Sequence, residues 1–158
     1  MIGVLENSQV NLIKREDDMI DKALIIVLIL YKEKRDEFGN MYIDYLLTIM
    51  RSLETYEEKV VGLLYNILED NNITINDLAD LGFSQSVIEA VLLLKEADNI
   101  DSLLQSHNMT AIKVKRADIN YKRQQLTLLN KDTKSESTLI EEYTKSFVKV
   151  NNYLKGKE

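Results

Sequence analysis

Apolar residues recur along this chain at intervals of three and four positions, which is the spacing of one face of an α-helix. No stretch keeps the strict alternation of a β-strand. The pattern predicts helices over residues 17–35, 42–54, 56–69, between Thr74 and Gly82, 84–96, 109–129 and 138–154, with a shorter one within 97–107 and a polar loop over 130–137.

Several of these helices have a recognisable first turn. Thr74 is followed by Asp77, and Ser84 precedes an apolar run, so both residues are predicted N-caps. Asn108 is the predicted cap of the helix over 109–129, and Thr138-x-x-Glu141 reads as a capping box for the last helix. That last helix carries an apolar stripe expected to face the core, formed by Leu139, Tyr143, Phe147, Val150 and Leu154. Leu129 of the helix before it is also expected to face the core.

Composition supports an all-α reading. The 158 residues include no proline and five glycines, the two residue types that helix interiors exclude. This length suits one domain with a real core. We therefore expect residues 1–158 to form a single-domain helical bundle of about six or seven helices. The absence of cysteine excludes disulfides and thiolate chemistry and is compatible with a cytoplasmic protein.

The net charge of −6 is unevenly placed. Residues 1–100 hold nine basic and nineteen acidic side chains, a balance of −10, whereas residues 101–158 hold eleven and seven, a balance of +4. A duplex-DNA binder would show a concentrated basic stripe, so DNA is not an expected partner. The basic third suits either a phosphorylated ligand or a solvated surface. The apolar run over 23–30 is too short to cross a membrane, so we expect a soluble protein without a membrane partner.

An ordered set of short motifs points to one family. Residues 62–70 read Gly-Leu-Leu-Tyr-Asn-Ile-Leu-Glu-Asp and follow a Gly-x-x-Tyr-Ile turn at Gly39. Thr-x-x-Asp-Leu, Gly-Phe and Val-Lys-x-Ala-Asp come later, the last ending at Asp118. Over residues 18–125 the series resembles the hydrolase domain of the Rel/SpoT stringent-response enzymes and their small stand-alone relatives. These are all-helical HD-superfamily proteins that remove pyrophosphate from guanosine tetra- and pentaphosphate.

The resemblance also implies a metal site, and this chain departs from it. The family holds manganese with one His, a His-Asp pair and a later Asp, which match Tyr45, Tyr65, Asn66 and Asp118. Neutral phenols and an amide are poor ligands for a divalent cation. We therefore expect no bound metal or other cofactor, and no metal-dependent hydrolysis. We also predict that the two tyrosines fill the vacated space and that Asp118 accepts a hydrogen bond from a phenol.

Other family positions are partly retained. Glu69 and Asp70 match the acidic pair near the attacking water, and a continuous helix would place Asn66 and Glu69 on one face. Lys95 matches a lysine near the ligand, although a lysine in the last turn of a helix needs no function. The remaining candidate ligand contacts are Lys115 and Tyr121, and Arg116 is a further basic candidate. The single histidine, His107, lies in a predicted loop and is interpreted as solvated.

Three functions remain open on this reading. The first is a nucleotide-binding or regulatory pseudoenzyme of the HD type. The second is an active phosphohydrolase whose magnesium or manganese is held by oxygen ligands alone, from Asp44, Glu69, Asp70 and Asp118. The third is a helical module that binds a protein partner through an exposed apolar patch on the last helix or on residues 1–13.

Overall fold

Helices dominate the parts of the chain that the computed structural model describes, which are residues 4–70, 73–129 and 133–157. Within those ranges an isolated bridge between Arg35 and Met41 is the sole strand-like pairing. The all-α prediction is confirmed. The described helices number more than the predicted six or seven because short ones are counted, one predicted helix is divided and one was not predicted. They are α1 (Asn7–Arg15), α2 (Met19–Tyr31), α3 (Tyr42–Arg51), α4 (Tyr56–Leu63), α5 (Ile67–Asp70), α6 (Ile75–Asp80), α7 (Gln85–Glu96), α8 (Ile100–Gln105), α9 (Met109–Leu129) and α10 (Lys134–Lys155).

One hydrophobic core connects these helices, and α9 runs through its centre. Helix α9 packs against α3, α4 and α7, and α10 packs extensively against α9. Fully buried side chains from different helices meet there, including Leu46, Leu64, Val87, Ile112 and Val150. Truncating a buried leucine or isoleucine to alanine costs about 2–5 kcal/mol, so this core fixes α9 firmly against its neighbours.

Three of the predicted helix starts are confirmed. Thr74 and Asp77 form a reciprocal capping box at α6. The hydroxyl of Ser84 accepts a hydrogen bond from the first turn of α7. The side-chain oxygen of Asn108 accepts from Ala111 N at 3.0 Å at the start of α9. Each cap satisfies a backbone N–H that would otherwise lack a partner in the helix.

The helix predicted over 56–69 is wrong as a continuous element. It stops at Leu63, a turn follows, and α5 begins at Ile67. Asn66 lies in this turn with φ 67°, a left-handed conformation that Asn tolerates better than most residues. A left-handed residue ends a helix, so Asn66 and Glu69 do not share a helix face. The predicted helix end at Asn71-Asn72 lies outside the described residues.

The last helix begins earlier than predicted. Thr133 is its N-cap and accepts a hydrogen bond from Glu136 N at 3.3 Å, so residues 134–137 are helical and not part of a loop. Thr138 lies inside α10 and donates its hydroxyl to Lys134 O, which rules out the predicted capping box. The rest of the predicted loop, residues 130–132, lies outside the described residues.

The apolar stripe of α10 is buried along only part of its length. Val150 and Leu154 are buried, whereas Leu139 is 41% exposed and Leu129 of α9 is equally exposed. The prediction that both of these leucines face the core is wrong. The C-terminal half of α10 contacts other helices, for example through the ion pair of Lys149 with Asp101 of α8. The first turns of α10 lie beside the end of α9.

Helix α1 was not predicted, and a buried lysine attaches it to the body. Lys22 of α2 is 5% exposed, and its Nζ donates to Ile13 O and to Leu81 O, each at 2.9 Å. The ammonium group thereby joins the C-terminal ends of α1 and α6, where helix dipoles favour a cation. Gly82 leaves room for this contact, since a Cβ there would lie 3.1 Å from Lys22 Nζ.

The apolar run over 23–30 belongs to α2. Its Ala23, Ile26 and Val27 side chains are buried, while Leu28 is 54% exposed. Across the part of the chain described, none of the helices has both the length and the apolar character required to cross a bilayer.

Candidate functional site

Asp118 is the centre of the candidate site. Its side chain is fully buried on α9. Tyr45 of α3 donates its hydroxyl to Asp118 Oδ1 at 2.5 Å, and Tyr65, in the turn after α4, donates to Oδ2 at 2.9 Å. The predicted hydrogen bond between a phenol and Asp118 is therefore confirmed, and it is made twice. The two tyrosines occupy the space around this carboxylate.

Two lysines on the same face of α9 complete the surroundings of Asp118. Lys115 Nζ lies 3.4 Å and Lys122 Nζ 3.2 Å from Asp118 Oδ2, at the i,i+3 and i,i+4 spacings. Burial alone would raise the pKa of Asp118, but the charges of Lys122 and Lys115 and the two phenolic hydrogen bonds lower it below its usual range. Asp118 is thus a carboxylate, and its charge is balanced within the protein.

Both tyrosines are neutral at physiological pH. Burial raises the pKa of Tyr45 and of Tyr65 well above the ordinary value, and the negative charge of Asp118 raises each further. A phenol must lose its proton to serve as a strong metal ligand. The same burial that packs these rings therefore keeps them protonated.

This set of residues does not fit a divalent cation. Both oxygens of Asp118 already accept hydrogen bonds, and two ammonium groups lie where a second positive charge would be repelled. Asn66, the fourth family position, donates its side-chain N–H to Tyr42 Oη at 3.2 Å. The matched positions form a packed polar cluster and offer no open coordination.

The alternative oxygen-only site is not assembled among the described residues. Asp44 and Glu69 are exposed, whereas Asp118 is fully buried. No group of three or more acidic or histidine side chains suited to a metal ion occurs in the described ranges. The side chain of Asp70 lies outside what the structure describes, so its predicted role is untested.

A cavity of about 180 Å³ opens beside this cluster, and we call it the tyrosine cavity. It lies between α9, α3 and the loop that joins α2 to α3. Cationic, acidic, aromatic and amide side chains line it: Lys34, Arg35, Lys122, Asp36, Glu37, Phe38, Tyr42, Tyr45, Tyr121 and Asn66.

Tyr121 forms one wall of the tyrosine cavity, and its predicted contact with a ligand stays a prediction. Its ring centroid lies 4.8 Å from that of Tyr45. Its hydroxyl donates to Asp36 Oδ2 at 2.5 Å and accepts from Asn40 Nδ2 at 2.9 Å. Burial and the Asp36 hydrogen bond raise its pKa. The ring is therefore neutral, and its contacts with Tyr45, Asp36 and Asn40 fix its position in the cavity wall.

Asp36 organises the loop at the mouth of the cavity. Its Oδ1 accepts from the backbone N–H groups of Phe38 and Asn40, each at 2.9 Å, while Oδ2 accepts from Tyr121. Three donors therefore engage this acidic side chain. The neighbouring Arg35 is exposed and donates to Gly39 O at 2.9 Å, which uses one of its five N–H groups.

Lys34, Arg35 and Lys122 bring positive charge to the cavity. Lys34 Nζ lies 4.2 Å from the centroid of Tyr42, and Lys122 is shared with Asp118. Sequence reasoning did not select these three residues. The Arg-Asp-Glu-Phe-Gly-Asn turn carried a general signal for Arg35, because binding residues are often found on loops.

The predicted contacts Lys95, Lys115 and Tyr121 do not share one cavity. Lys95 lies at the edge of a mostly apolar cavity of about 430 Å³ beside α5 and α7. Lys115 faces a third cavity, of about 150 Å³, between α7 and α8, and Arg116 faces a fourth near α4. His107 is exposed, as predicted, although its Nδ1 lies within hydrogen-bonding distance of Tyr153 Oη, at 2.8 Å.

Comparison with known protein families finds no family model that matches this chain. Comparison with curated proteins finds no match either. Fold and site together define an all-α protein with a buried, internally balanced carboxylate and an adjacent cavity lined by cationic, acidic and aromatic side chains.

Proposed function

We propose that the protein binds a phosphorylated small molecule in the tyrosine cavity and does not hydrolyse it through a metal ion. A guanine nucleotide is the first candidate ligand, by resemblance to the HD-type hydrolases. The observation that carries the proposal is the meeting of cationic and aromatic side chains in one cavity, directly beside a carboxylate that tyrosines have closed to metal.

The cationic side chains at the mouth of the cavity would bind the phosphate group of the ligand. Arg35 is exposed, and the planar fork of a guanidinium matches two phosphate oxygens at once. Lys34 adds a second positive charge on the same loop. The cavity is smaller than those that enclose whole drug-sized ligands, which begin at about 300 Å³. A ligand would therefore insert one group and leave the rest over the mouth.

The state of Asp118 argues against metal-assisted hydrolysis. Such chemistry requires a cation with an open position at which water is acidified. Here Lys115 and Lys122 supply the positive charge that a metal would bring. This charge balance supports the proposal of binding without metal-assisted cleavage.

A thermal-shift titration tests this proposal with manganese and guanosine tetraphosphate as probes, alone and together. We expect the nucleotide to raise the melting temperature saturably and manganese alone to leave it unchanged, because ligands that bind the folded state stabilise it by mass action. Arg35→Ala should weaken the nucleotide response. Lys32→Ala, which removes an exposed charge outside the cavity lining, is the matched control.

Two outcomes would overturn the proposal in different directions. A saturable shift with manganese alone would support the active phosphohydrolase. No shift with either probe would favour the second candidate function, a helical module that binds a protein partner. The observation behind that candidate is the apolar end of the α9–α10 pair, where Leu128 is 76% exposed and Leu129 and Leu139 are each 41% exposed.

A further inference from the structure

The cavity that Lys115 faces is separate from the tyrosine cavity. It measures about 150 Å³ and lies where the end of α7, the start of α8 and the first half of α9 meet. One water occupies roughly 30 Å³ of liquid, so this volume holds a group of several heavy atoms. Its walls are mainly aliphatic and come from the α7–α8 connection and its two flanking helices: Leu94, Ala97, Ile100 and Leu103.

The lining of this cavity also includes charged side chains of both signs. Lys115 provides an ammonium group, and Asp98 provides a carboxylate from the short connection between α7 and α8. Asn99 adds an amide whose Oδ1 accepts from Ser102 N at 2.9 Å. That bond fixes the side chain as the cap of α8. The lining therefore holds one cation, one anion and one positioned amide.

Lys115 has donor capacity beyond its contacts within the described residues. An ammonium carries three N–H donors. Lys115 Nζ uses Tyr65 Oη at 3.0 Å and lies at the longer distance of 3.4 Å from Asp118 Oδ2. These contacts hold the ammonium beside Asp118. They leave one of its three N–H donors for a group bound in the cavity that Lys115 lines.

We propose that this cavity binds a small zwitterion with an aliphatic side chain, of the class of the branched-chain α-amino acids. Lys115 receives the carboxylate, Asp98 receives the ammonium, and the leucine and isoleucine walls receive the side chain. A simple anion would be repelled by Asp98, and a simple cation by Lys115. The volume excludes large ligands. This site is independent of nucleotide binding.

Isothermal titration calorimetry with L-leucine tests the assignment on the full chain. The comparison ligands are 4-methylpentanoate, which lacks the amine, and isoamylamine, which lacks the carboxylate. We expect saturable binding of leucine, with each comparison ligand weaker by about tenfold or more, since one hydrogen bond to a charged group contributes that much. Equal binding of 4-methylpentanoate would overturn the zwitterion assignment.

Three variants complete the test. Ala97→Leu fills the cavity without touching Lys115, and Asp98→Asn removes the negative charge, so both should weaken leucine binding by about tenfold or more. Lys113→Met, on the same helix but facing a different cavity, should leave it unchanged. Circular dichroism confirms that each variant is folded. Leucine binding that persists in folded Ala97→Leu, or no leucine binding by the unaltered protein, would overturn the proposal.

Discussion

Tyr45 and Asp118 are 73 residues apart in sequence and joined by a hydrogen bond of 2.5 Å in the folded protein. The bond connects α3 to α9 inside the core. Tyr65 donates a second hydrogen bond to the same carboxylate, so Asp118 joins α3, the turn after α4, and α9. Asp118 is therefore a structural centre of the protein, and this has measurable consequences.

Replacing Asp118 with asparagine should destabilise the protein strongly. The change keeps the shape of the side chain but leaves the ammonium groups of Lys115 and Lys122 without their counter-charge in a partly buried place. Removing one member of a buried ion cluster costs about 3–5 kcal/mol. Urea denaturation followed by circular dichroism measures the loss.

Asp101→Asn is the matched control for that measurement. Asp101 pairs with Lys149 on the surface, where both side chains are more than half exposed. Such pairs contribute less than about 1 kcal/mol. If Asp118→Asn cost no more than Asp101→Asn, the two lysines would draw no stabilisation from the buried carboxylate.

Tyr45 and Tyr65 should resist ionisation until the protein unfolds. Burial, reinforced by the charge of Asp118, raises the pKa of both in the folded state. The unfolded chain begins to lose these protons near pH 10. The stabilisation that these two protonated phenols contribute is therefore fully present below about that pH and is lost as the pH rises further. Phenolate absorbance during alkaline titration should show these two residues changing together with the circular dichroism signal.

A Tyr45→Phe, Tyr65→Phe double variant identifies the two groups. It should lack the part of the phenolate signal that accompanies unfolding. A native protein in which all eight tyrosines ionise before any loss of structure would contradict the prediction.

Asn66 offers a test of backbone conformation at the edge of the tyrosine cavity. Asn66→Gly and Asn66→Ala both remove the hydrogen bond to Tyr42, but they differ at φ 67°. Glycine adopts the left-handed region freely and alanine does not, so the alanine variant should be less stable by about 1–2 kcal/mol. Thermal and urea unfolding of the pair decide this, and equal stabilities would mean that the turn relaxes to another conformation.

Introducing the metal ligands of the HD-type hydrolases at the matching positions should create a metal site. The combined change Tyr45→His, Tyr65→His and Asn66→Asp places two imidazoles and a new carboxylate near Asp118, a set that suits manganese. We expect a saturable manganese-dependent rise in melting temperature that the unaltered protein lacks. A folded triple variant that ignores manganese would count against the resemblance to the HD-type hydrolases.

Local signals in the sequence were sufficient for most of the fold. The caps at Thr74, Ser84 and Asn108 could be predicted because each depends on a side chain and a backbone group two or three residues away. Thr133 and Thr138 show the limit of this reasoning. Each is followed three residues later by a glutamate, so the same pattern occurs twice and only packing decides which threonine begins α10.

Part of the candidate site was predictable from the sequence. The hydrogen bonds from Tyr45 and Tyr65 to Asp118 agree with the expectation that a buried phenol finds a carboxylate partner. The left-handed Asn66 was not predictable from helical periodicity, because a turn of three residues leaves the apolar pattern intact on both sides. Arg35 was missed because a loop sets its position and no periodic pattern does.

Lys22 affects how α1 unfolds locally. Its Nζ is the polar link between α1 and the end of α6, since it donates to Ile13 O and Leu81 O together. Otherwise α1 packs mainly against α2. Opening α1 thus breaks few contacts, and its amides should exchange with solvent through a local unfolding step of lower free energy than global unfolding. Deuterium uptake should therefore be faster in α1 than in α9, even though Ile13 is fully buried in the common core.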